Sequence, residues 1–273
     1  MPSTDRYHRQ PLVVFHLRAW MPQKLQILGN QLAVIQFQHP PTCAPIVLLR
    51  GHRRKRGLYR EVSRRDNGPR CLFEGDLRLQ VDPNTGLISP ARQLESPNKD
   101  QRPDGCVPEL VVLHGISLPP GQFGGSWIDD LFLNRLDRNA HPFFENIADA
   151  CVSSHLLISR SGELTQYVPF GDRAWHAGES EYFGRRACND FSVGIELEGT
   201  DDMPYTGEQY DTLTRVLIAL TTAYPTLDPL RIVGHRDIAP GRKTDPGPSF
   251  DWLRCDRCVA VARARRRLAA LAV

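Results

Sequence analysis

The sequence predicts an α/β fold in which a mixed β-sheet is flanked by helices. One observation is a set of short apolar runs bounded by glycine or proline, such as the four residues 110–113 between Pro108 and Gly115, which are typical of buried strands. The other is a long segment with helical periodicity. Strands are expected near residues 110–114, 154–159, 164–169, 191–198 and 230–234.

The clearest helix is expected at Tyr205–Tyr224. Thr206 followed by Gln209 is a capping-box pattern, and Pro225 ends the segment. The apolar residues of one helical face are Tyr210, Leu213, Val216, Leu217, Leu220 and Tyr224. Two shorter helices are expected at Trp127–Leu136 and Pro142–Cys151.

The segment Gly234–Pro248 concentrates reactive side chains. It holds His235, Lys243 and Asp245, and its prolines and glycines predict a loop rather than a regular helix or a central strand. Because the loop follows a strand and turns back, His235 and Asp245 can face one point. Imidazole nitrogen and carboxylate oxygen are both zinc ligands, and a catalytic zinc takes three protein ligands with one position open.

The best candidate for a third ligand is His114, at the end of the strand expected at 110–114. Sites in open α/β folds form at the carboxyl ends of strands, which is where this histidine lies. A single histidine or aspartate is more often a structural side chain, so these residues alone leave both interpretations open.

Four segments in a fixed order carry a resemblance to a known family: His114–Gly125, Ala174–Gly178, Asn189–Thr200 and Gly234–Pro248. Together they resemble the AmpD-type zinc N-acetylmuramoyl-L-alanine amidases, which recycle 1,6-anhydro-muropeptides. The resemblance runs from about Leu87 to Leu253. It implies the amidase fold shared with peptidoglycan-recognition proteins and phage lysozyme-type amidases, one Zn²⁺ per chain and a small muropeptide substrate. The site it implies has His114, His235 and Asp245 as zinc ligands, with Glu196 and Lys243 as catalytic residues.

Glu196 and Glu198 share one face of the strand expected at 191–198, because apolar residues alternate with them. Such a face is often a solvated sheet surface, and the spacing does not choose between the two glutamates. The resemblance selects Glu196 as general base toward the attacking water and as proton donor to the leaving L-alanine nitrogen. Lys243, otherwise an ordinary surface lysine, is implied to stabilise the oxyanion.

Three further residues are expected to contact the substrate or to support the site: His155, Trp175 and His176. His155 lies on a predicted β-hairpin, and the resemblance implies that His176 forms a pocket wall rather than a metal ligand. A ligating histidine usually needs an outer partner that fixes its tautomer. The sequence does not identify that partner.

Charge divides the 273-residue chain unevenly. Residues 1–80 carry 14 lysines and arginines against 5 acidic residues, whereas the remainder carries 20 against 26. We expect residues 1–86 to be a basic extension, either disordered or the product of a mis-started translation. Residues 87–258 are the expected amidase domain, and 259–273 a basic helical tail. The acidic balance of the larger part argues against a nucleic-acid enzyme, and we interpret the basic run Arg50–Arg56 as a solvated segment.

The sequence contains no apolar stretch long enough for a membrane span and no secretory-signal pattern. We therefore expect a cytoplasmic monomer with no membrane or nucleic-acid partner, and its seven cysteines reduced. The Cys255-x-x-Cys258 pair is expected to be structural or incidental. Two alternatives remain: an amidase acting on intact peptidoglycan, and a non-catalytic peptidoglycan-binding module, which would lack part of the ligand set.

Overall fold

A computed structural model describes residues 78–228 and 230–270, together with the strands β1 (Leu25–Ile27) and β2 (Ala33–Ile35). These two strands pair antiparallel with each other. Apart from these two strands, residues 1–77 of the predicted N-terminal extension lie outside the described ones, whereas its last residues, 78–86, are described. Everything below refers to the unit that contains residues 78–270.

This unit is built on one six-stranded sheet. In chain order its strands and those of three small two-stranded sheets are β3 (Gln80–Asp82), β4 (Leu87–Ser89), β5 (Arg92–Gln93), β6 (Lys99–Gln101), β7 (Leu110–Ile116), β8 (Leu156–Ile158), β9 (Leu164–Gln166), β10 (Asp172–Ala174), β11 (Glu181–Tyr182), β12 (Arg185–Arg186), β13 (Ser192–Glu198) and β14 (Ile232–Gly234). The main sheet has the order β14-β7-β13-β8-β9-β5. Strands β14, β7, β13 and β8 run parallel, whereas β9 is antiparallel to β8. The mixed sheet predicted from the sequence is confirmed, as is the β8–β9 hairpin.

The helices are α1 (Trp127–Phe132), α2 (Gly207–Ala223), α3 (His235–Ile238) and α4 (Trp252–Ala270), with 3₁₀ turns at Pro142–Asn146 and Cys188–Asp190. The long predicted helix is confirmed as α2. Thr206 caps it, and the reciprocal capping box with Gln209 is formed. None of the helices in the described residues is long and apolar enough to cross a membrane.

Three helix predictions need correction. Helix α1 ends four residues early, because Asn134 takes a left-handed conformation and exchanges side-chain hydrogen bonds with Asn98. The segment expected to be helical at Pro142–Cys151 forms only the 3₁₀ turn, in which Phe144 is the single buried residue. The loop that begins at Gly234 opens with one helical turn, α3, which ends before Pro240.

The two faces of the central strands are covered differently. Residues Val111 and Leu113 of β7 and Val193, Ile195 and Leu197 of β13 belong to the largest apolar core, together with side chains of α2 and α4. All seven residues of β13 are buried, so the face that carries Glu196 and Glu198 is not a solvated surface. It lies instead under the loops that form the site.

The predicted domain limits at residues 86/87 and 258/259 stay predictions. The β3–β4 hairpin crosses the first, and α4 runs without a break through the second.

Candidate metal and catalytic site

His114 is placed by the centre of the sheet. Strand β7 lies between β14 and β13, and its first five residues are buried. His114 is the fifth, at the carboxyl end of the strand, and only 2% of its surface is exposed. The strand therefore fixes this imidazole at the carboxyl end of the parallel strands, where the sequence predicted it.

His235 lies at the same end of the sheet, directly after the neighbouring strand β14. It is the first residue of α3, directly after β14, and the Gly234 N–H donates to the Asp237 carboxylate across this turn at 2.8 Å. A side chain at Gly234 would meet Pro246, with its Cβ 2.9 Å from the Pro246 Cδ. The absence of that side chain lets the segment that carries Asp245 fold back over the end of β14.

The aspartate closes a triangle of donor atoms. The Nδ1 atoms of His114 and His235 lie 3.0 Å apart, and each lies 3.1 Å from Oδ2 of Asp245. Ligand atoms on one tetrahedral zinc, at 2.0–2.2 Å from the metal, are spaced about 3.3 Å apart. The three residues predicted as ligands are thus brought together in an arrangement that could hold a metal ion.

The hydrogen-bond partners of His235 test whether this triangle suits a cation. Its Nε2 lies 3.0 Å from the Ala177 carbonyl, which can only accept, so Nε2 carries the proton. A neutral His235 then points the lone pair of Nδ1 at the Asp245 carboxylate. Lone pairs directed at one point repel unless a cation lies between them, so the donor set fits a metal ion.

Burial and charge set the protonation of the ligands. Burial lowers the pKa of His114 to about 4, which leaves a neutral imidazole at pH 7. Neutral imidazoles and an ionised carboxylate are the forms in which these side chains bind metals.

The structure distinguishes the two glutamates of β13. Glu198 accepts hydrogen bonds from the backbone N–H groups of Gly124 and Arg160, one at each carboxylate oxygen, so it ties two loops to the strand. Glu196 is paired in register with His114 and is 92% buried, yet its Oε2 has no hydrogen-bond partner among the described residues. Glu196 is therefore the carboxyl group available for proton transfer.

The surroundings of Glu196 favour its protonated form. Burial raises its pKa well above the ordinary value, the charge of Asp245 adds to this, and the charge of Lys243 opposes it. Lys243 is itself exposed on the loop between His235 and Asp245. Its charge acts on both Glu196 and His114, so it lies close enough to influence groups at the site.

Of the three residues expected on the substrate side, only His176 touches a predicted ligand: its Nδ1 lies 2.9 Å from Nε2 of His114. His155 is fully buried, and its Nδ1 accepts from the Gly194 N–H at 3.0 Å, which favours a supporting role. Trp175 is partly exposed and donates from Nε1 to Asp100 at 3.2 Å. Substrate contact by any of the three stays a prediction.

Tyr205 is a site-supporting residue that the sequence analysis missed. Its hydroxyl donates to the Pro246 carbonyl at 2.9 Å, next to Asp245. A Cβ at Gly115 or at Gly199 would lie 2.4 Å from the Tyr205 side chain, so both glycines are needed for its position. Gly115 directly follows His114, and Gly199 directly follows Glu198. The sequence could have pointed to Tyr205 only through these two glycines.

An open groove of about 750 Å³ begins beside the site. It is lined by residues that follow His114 and Glu198 in the chain, and by apolar side chains that include Leu118, Phe143 and Met203. The groove offers a substrate an apolar surface, and Gly115, the residue after His114, is among the residues that line it.

Metal-dependent hydrolases are the class that this combination defines, because a buried metal-binding triangle lies beside an unpartnered glutamate. Comparison with known proteins narrows the class. The family model for N-acetylmuramoyl-L-alanine amidases matches residues 104–248. The chain belongs to the N-acetylmuramoyl-L-alanine amidase family.

Among similar proteins are two curated 1,6-anhydro-N-acetylmuramyl-L-alanine amidases, both AmpD. The one from Citrobacter freundii is 59% identical over 169 residues, which cover 62% of this chain and 90% of the relative. The one from Escherichia coli K12 is 58% identical and is covered to 92% of its length, again by 62% of this chain. A crystal structure of a selenomethionine AmpD derivative superposes with a TM-score of 0.63 at 56% identity, covering 65% of this chain and 98% of that one. The predicted family and fold are confirmed.

Proposed function

We propose that this chain hydrolyses the amide bond between the lactyl group of 1,6-anhydro-N-acetylmuramic acid and L-alanine in soluble muropeptides, as part of peptidoglycan recycling. The observation that carries the proposal is the donor triangle beside the unpartnered Glu196 carboxyl group. The relatives with more than half of their residues identical bear the name of this activity.

Zinc is the metal we assign to the triangle of His114, His235 and Asp245. Two imidazoles and one carboxylate form a ligand set used by catalytic zinc, which leaves a fourth position for water or substrate. When bound, zinc supplies an acidified water and a polarised amide carbonyl. The remaining steps fall to side chains of the chain itself.

Glu196 is proposed to take the proton of the attacking water and to deliver it to the departing L-alanine nitrogen. Its raised pKa suits a group that must first accept a proton and then give it away near neutral pH. Lys243 is proposed to stabilise the negative charge that develops on the carbonyl oxygen. The apolar groove is the proposed seat of the sugar and the first residues of the peptide.

We further propose that the enzyme works as a monomer in the cytoplasm, where imported soluble muropeptides are recycled. Size-exclusion chromatography with light scattering tests the first statement, and fractionation of cells that express the full chain tests the second.

The deciding experiment is mass-spectrometric detection of peptide release from purified anhydro-muropeptide, with and without a zinc chelator. We expect the L-alanine-headed peptide to appear, its release to stop with chelator and to return with added zinc. Release from intact sacculi but not from the soluble substrate would favour a cell-wall amidase. No release from folded, zinc-loaded protein on either substrate would favour a binding module and reject the proposal.

A further inference from the structure

His176 connects the predicted ligand His114 to the floor of the site. Its Nδ1 lies 2.9 Å from Nε2 of His114, and its Nε2 lies 3.1 Å from the hydroxyl of Ser192. That hydroxyl donates to the Cys188 carbonyl at 2.5 Å. We call the series His114, His176, Ser192 and Cys188 the imidazole chain; its three side chains are all buried.

The direction of every hydrogen bond in the imidazole chain follows from its last member. A carbonyl oxygen only accepts, so the Ser192 O–H must point at Cys188, and the oxygen of Ser192 is left to accept from His176 Nε2. A neutral imidazole carries one N–H, so the Nδ1 of His176 must accept from Nε2–H of His114. The lone pair of His114 is thereby placed on Nδ1, the atom that faces Asp245.

The protein holds His176 in this position by two independent devices. Asn189 accepts hydrogen bonds through its Oδ1 from the backbone N–H groups of His176, at 3.1 Å, and Ala177, at 2.8 Å. Gly194 leaves room for the ring, because a Cβ there would lie 2.5 Å from Cγ of His176. Asn189 thus holds the backbone of His176, and Gly194 provides the space that its ring occupies.

Two consecutive residues, His176 and Ala177, therefore accept the Nε2–H hydrogen bonds of both histidines in the triangle. His176 accepts from Nε2–H of His114 through its side chain, and Ala177 accepts from Nε2–H of His235 through its carbonyl. Both acceptors leave an Nδ1 lone pair directed at the same point.

We infer that His176 is a positioning residue which, with Ser192, locks His114 in the Nε2–H tautomer and so prepares its Nδ1 to bind zinc. The inference rests on the proposed function only in taking zinc as the metal. Partners of this kind that orient a metal-ligating histidine contribute about 10–100-fold to metal affinity.

The test uses four variants of the full chain: His176→Ala, His176→Asn, Ser192→Ala and Ser96→Ala. Asparagine can present a side-chain oxygen near the position of the histidine Nδ1, so His176→Asn keeps an acceptor for His114. Ser96→Ala is the matched control, since Ser96 is equally buried and donates to the Phe132 carbonyl at 2.5 Å, but contacts none of the histidines.

Two readouts are needed, and neither is turnover. In zinc-free protein, ¹⁵N chemical shifts of the imidazoles report which nitrogen of His114 carries the proton, with His114→Gln used to assign its signals. In parallel, competition with a chelator gives the Kd for zinc. Circular dichroism confirms that each variant is folded.

We expect the Nε2–H tautomer for His114 in the unsubstituted protein. His176→Ala is expected to lose that single tautomer and to weaken zinc binding by about 10–100-fold. His176→Asn should recover most of the affinity, Ser192→Ala should show a smaller loss in the same direction, and Ser96→Ala should show none.

An Nδ1–H tautomer in the unsubstituted protein would overturn the inference, as would unchanged zinc affinity in folded His176→Ala. If that variant does not fold, unchanged tautomer and affinity in Ser192→Ala would overturn it instead. Failure of the unsubstituted protein to cleave muropeptide would reject the proposed function while leaving these measurements intact, so the two failures are distinguishable.

Discussion

The two faces of strand β13 are both buried, but one packs into the apolar core and the other carries the polar side chains of the site. On one face, Val193, Ile195 and Leu197 pack into a large apolar core under helices α2 and α4. On the other, Ser192 and Glu198 each have fixed hydrogen-bond partners, and Glu196 has an oxygen without one. Alternation along a single strand thus separates the part of the molecule that holds it together from the part that reacts.

The difference between the faces teaches where substitutions should act. An apolar side chain in a core touches many neighbours. The loss of one methylene group therefore costs stability through its lost burial and the small cavity it leaves. A buried polar group has one or two partners, and the loss of either leaves an unpaired group or an uncompensated charge. Substitutions on the apolar face should therefore change stability without changing chemistry, whereas substitution of Glu196 on the other face should change turnover.

The largest effect is expected at the donor triangle. His114→Ala, His235→Ala or Asp245→Ala should abolish turnover and release zinc, because each removes one of three protein ligands. Zinc content measured by inductively coupled plasma mass spectrometry, beside the muropeptide assay, checks this. A variant that keeps full zinc content would show that its residue is not a ligand.

Glu196→Gln should separate chemistry from metal binding. It keeps the shape of the side chain but removes the group that moves the proton, so we expect turnover to fall by about 10²–10⁴-fold while zinc remains bound. Glu198→Gln, two positions along the same face, is the matched control. It should lower the melting temperature by weakening a loop contact, with a far smaller loss of turnover. Equal losses of turnover in the two variants would contradict the assignment of Glu196.

Acidification should destabilise the site face selectively. Burial lowers the pKa of His155 and His176 well below the ordinary value, and that of His114 to about 4. Between about pH 6.5 and pH 4 the unfolded chain therefore binds more protons at these three residues, and stability rises with pH. The raised pKa of Glu196 works in the opposite direction and offsets one of the three protons.

The net difference of about two protons corresponds to a slope of up to about 2.7 kcal/mol per pH unit. Urea unfolding of zinc-free protein at pH 7.0, 6.0 and 5.0 measures it. The free energy of unfolding should decrease across this series. A value that stays level would show that the histidines are protonated in the folded state.

Much of this arrangement could be predicted from the sequence. Period-two alternation placed Glu196 and Glu198 on the face opposite the apolar residues, and the structure confirms it. The fold and family followed from four segments in order, and the structure brings together the three predicted ligands. These features depend on local periodicity or on motifs in which several residues are specified at once.

What could not be predicted depends on contacts between distant segments. The predicted helix began at Tyr205, whereas α2 begins at Gly207. The Tyr205 ring instead lies against Gly115 and Gly199 and supports the loop beside Asp245. Spacing alone left Glu196 and Glu198 equivalent, and only the family resemblance selected Glu196. The physical difference between them lies in the two loops whose N–H groups occupy Glu198. The short turn at Pro142–Asn146 was predicted as a longer helix, because composition alone does not show that only Phe144 would be buried there.

The smallest expected effect gives the sharpest comparison between the faces. Ile195 precedes Glu196 in the chain, is fully buried and points to the opposite side of β13. Ile195→Val removes one methylene group from the apolar core, which should cost about 0.5–1.5 kcal/mol of unfolding free energy. Because this change adds no polar group and leaves the backbone of β13 in place, zinc affinity and turnover should equal those of the unsubstituted protein. Urea denaturation, chelator competition and the muropeptide assay on one preparation decide the matter. If zinc affinity fell along with stability, packing on the apolar face would be setting the position of the site residues, and the two faces would not be independent.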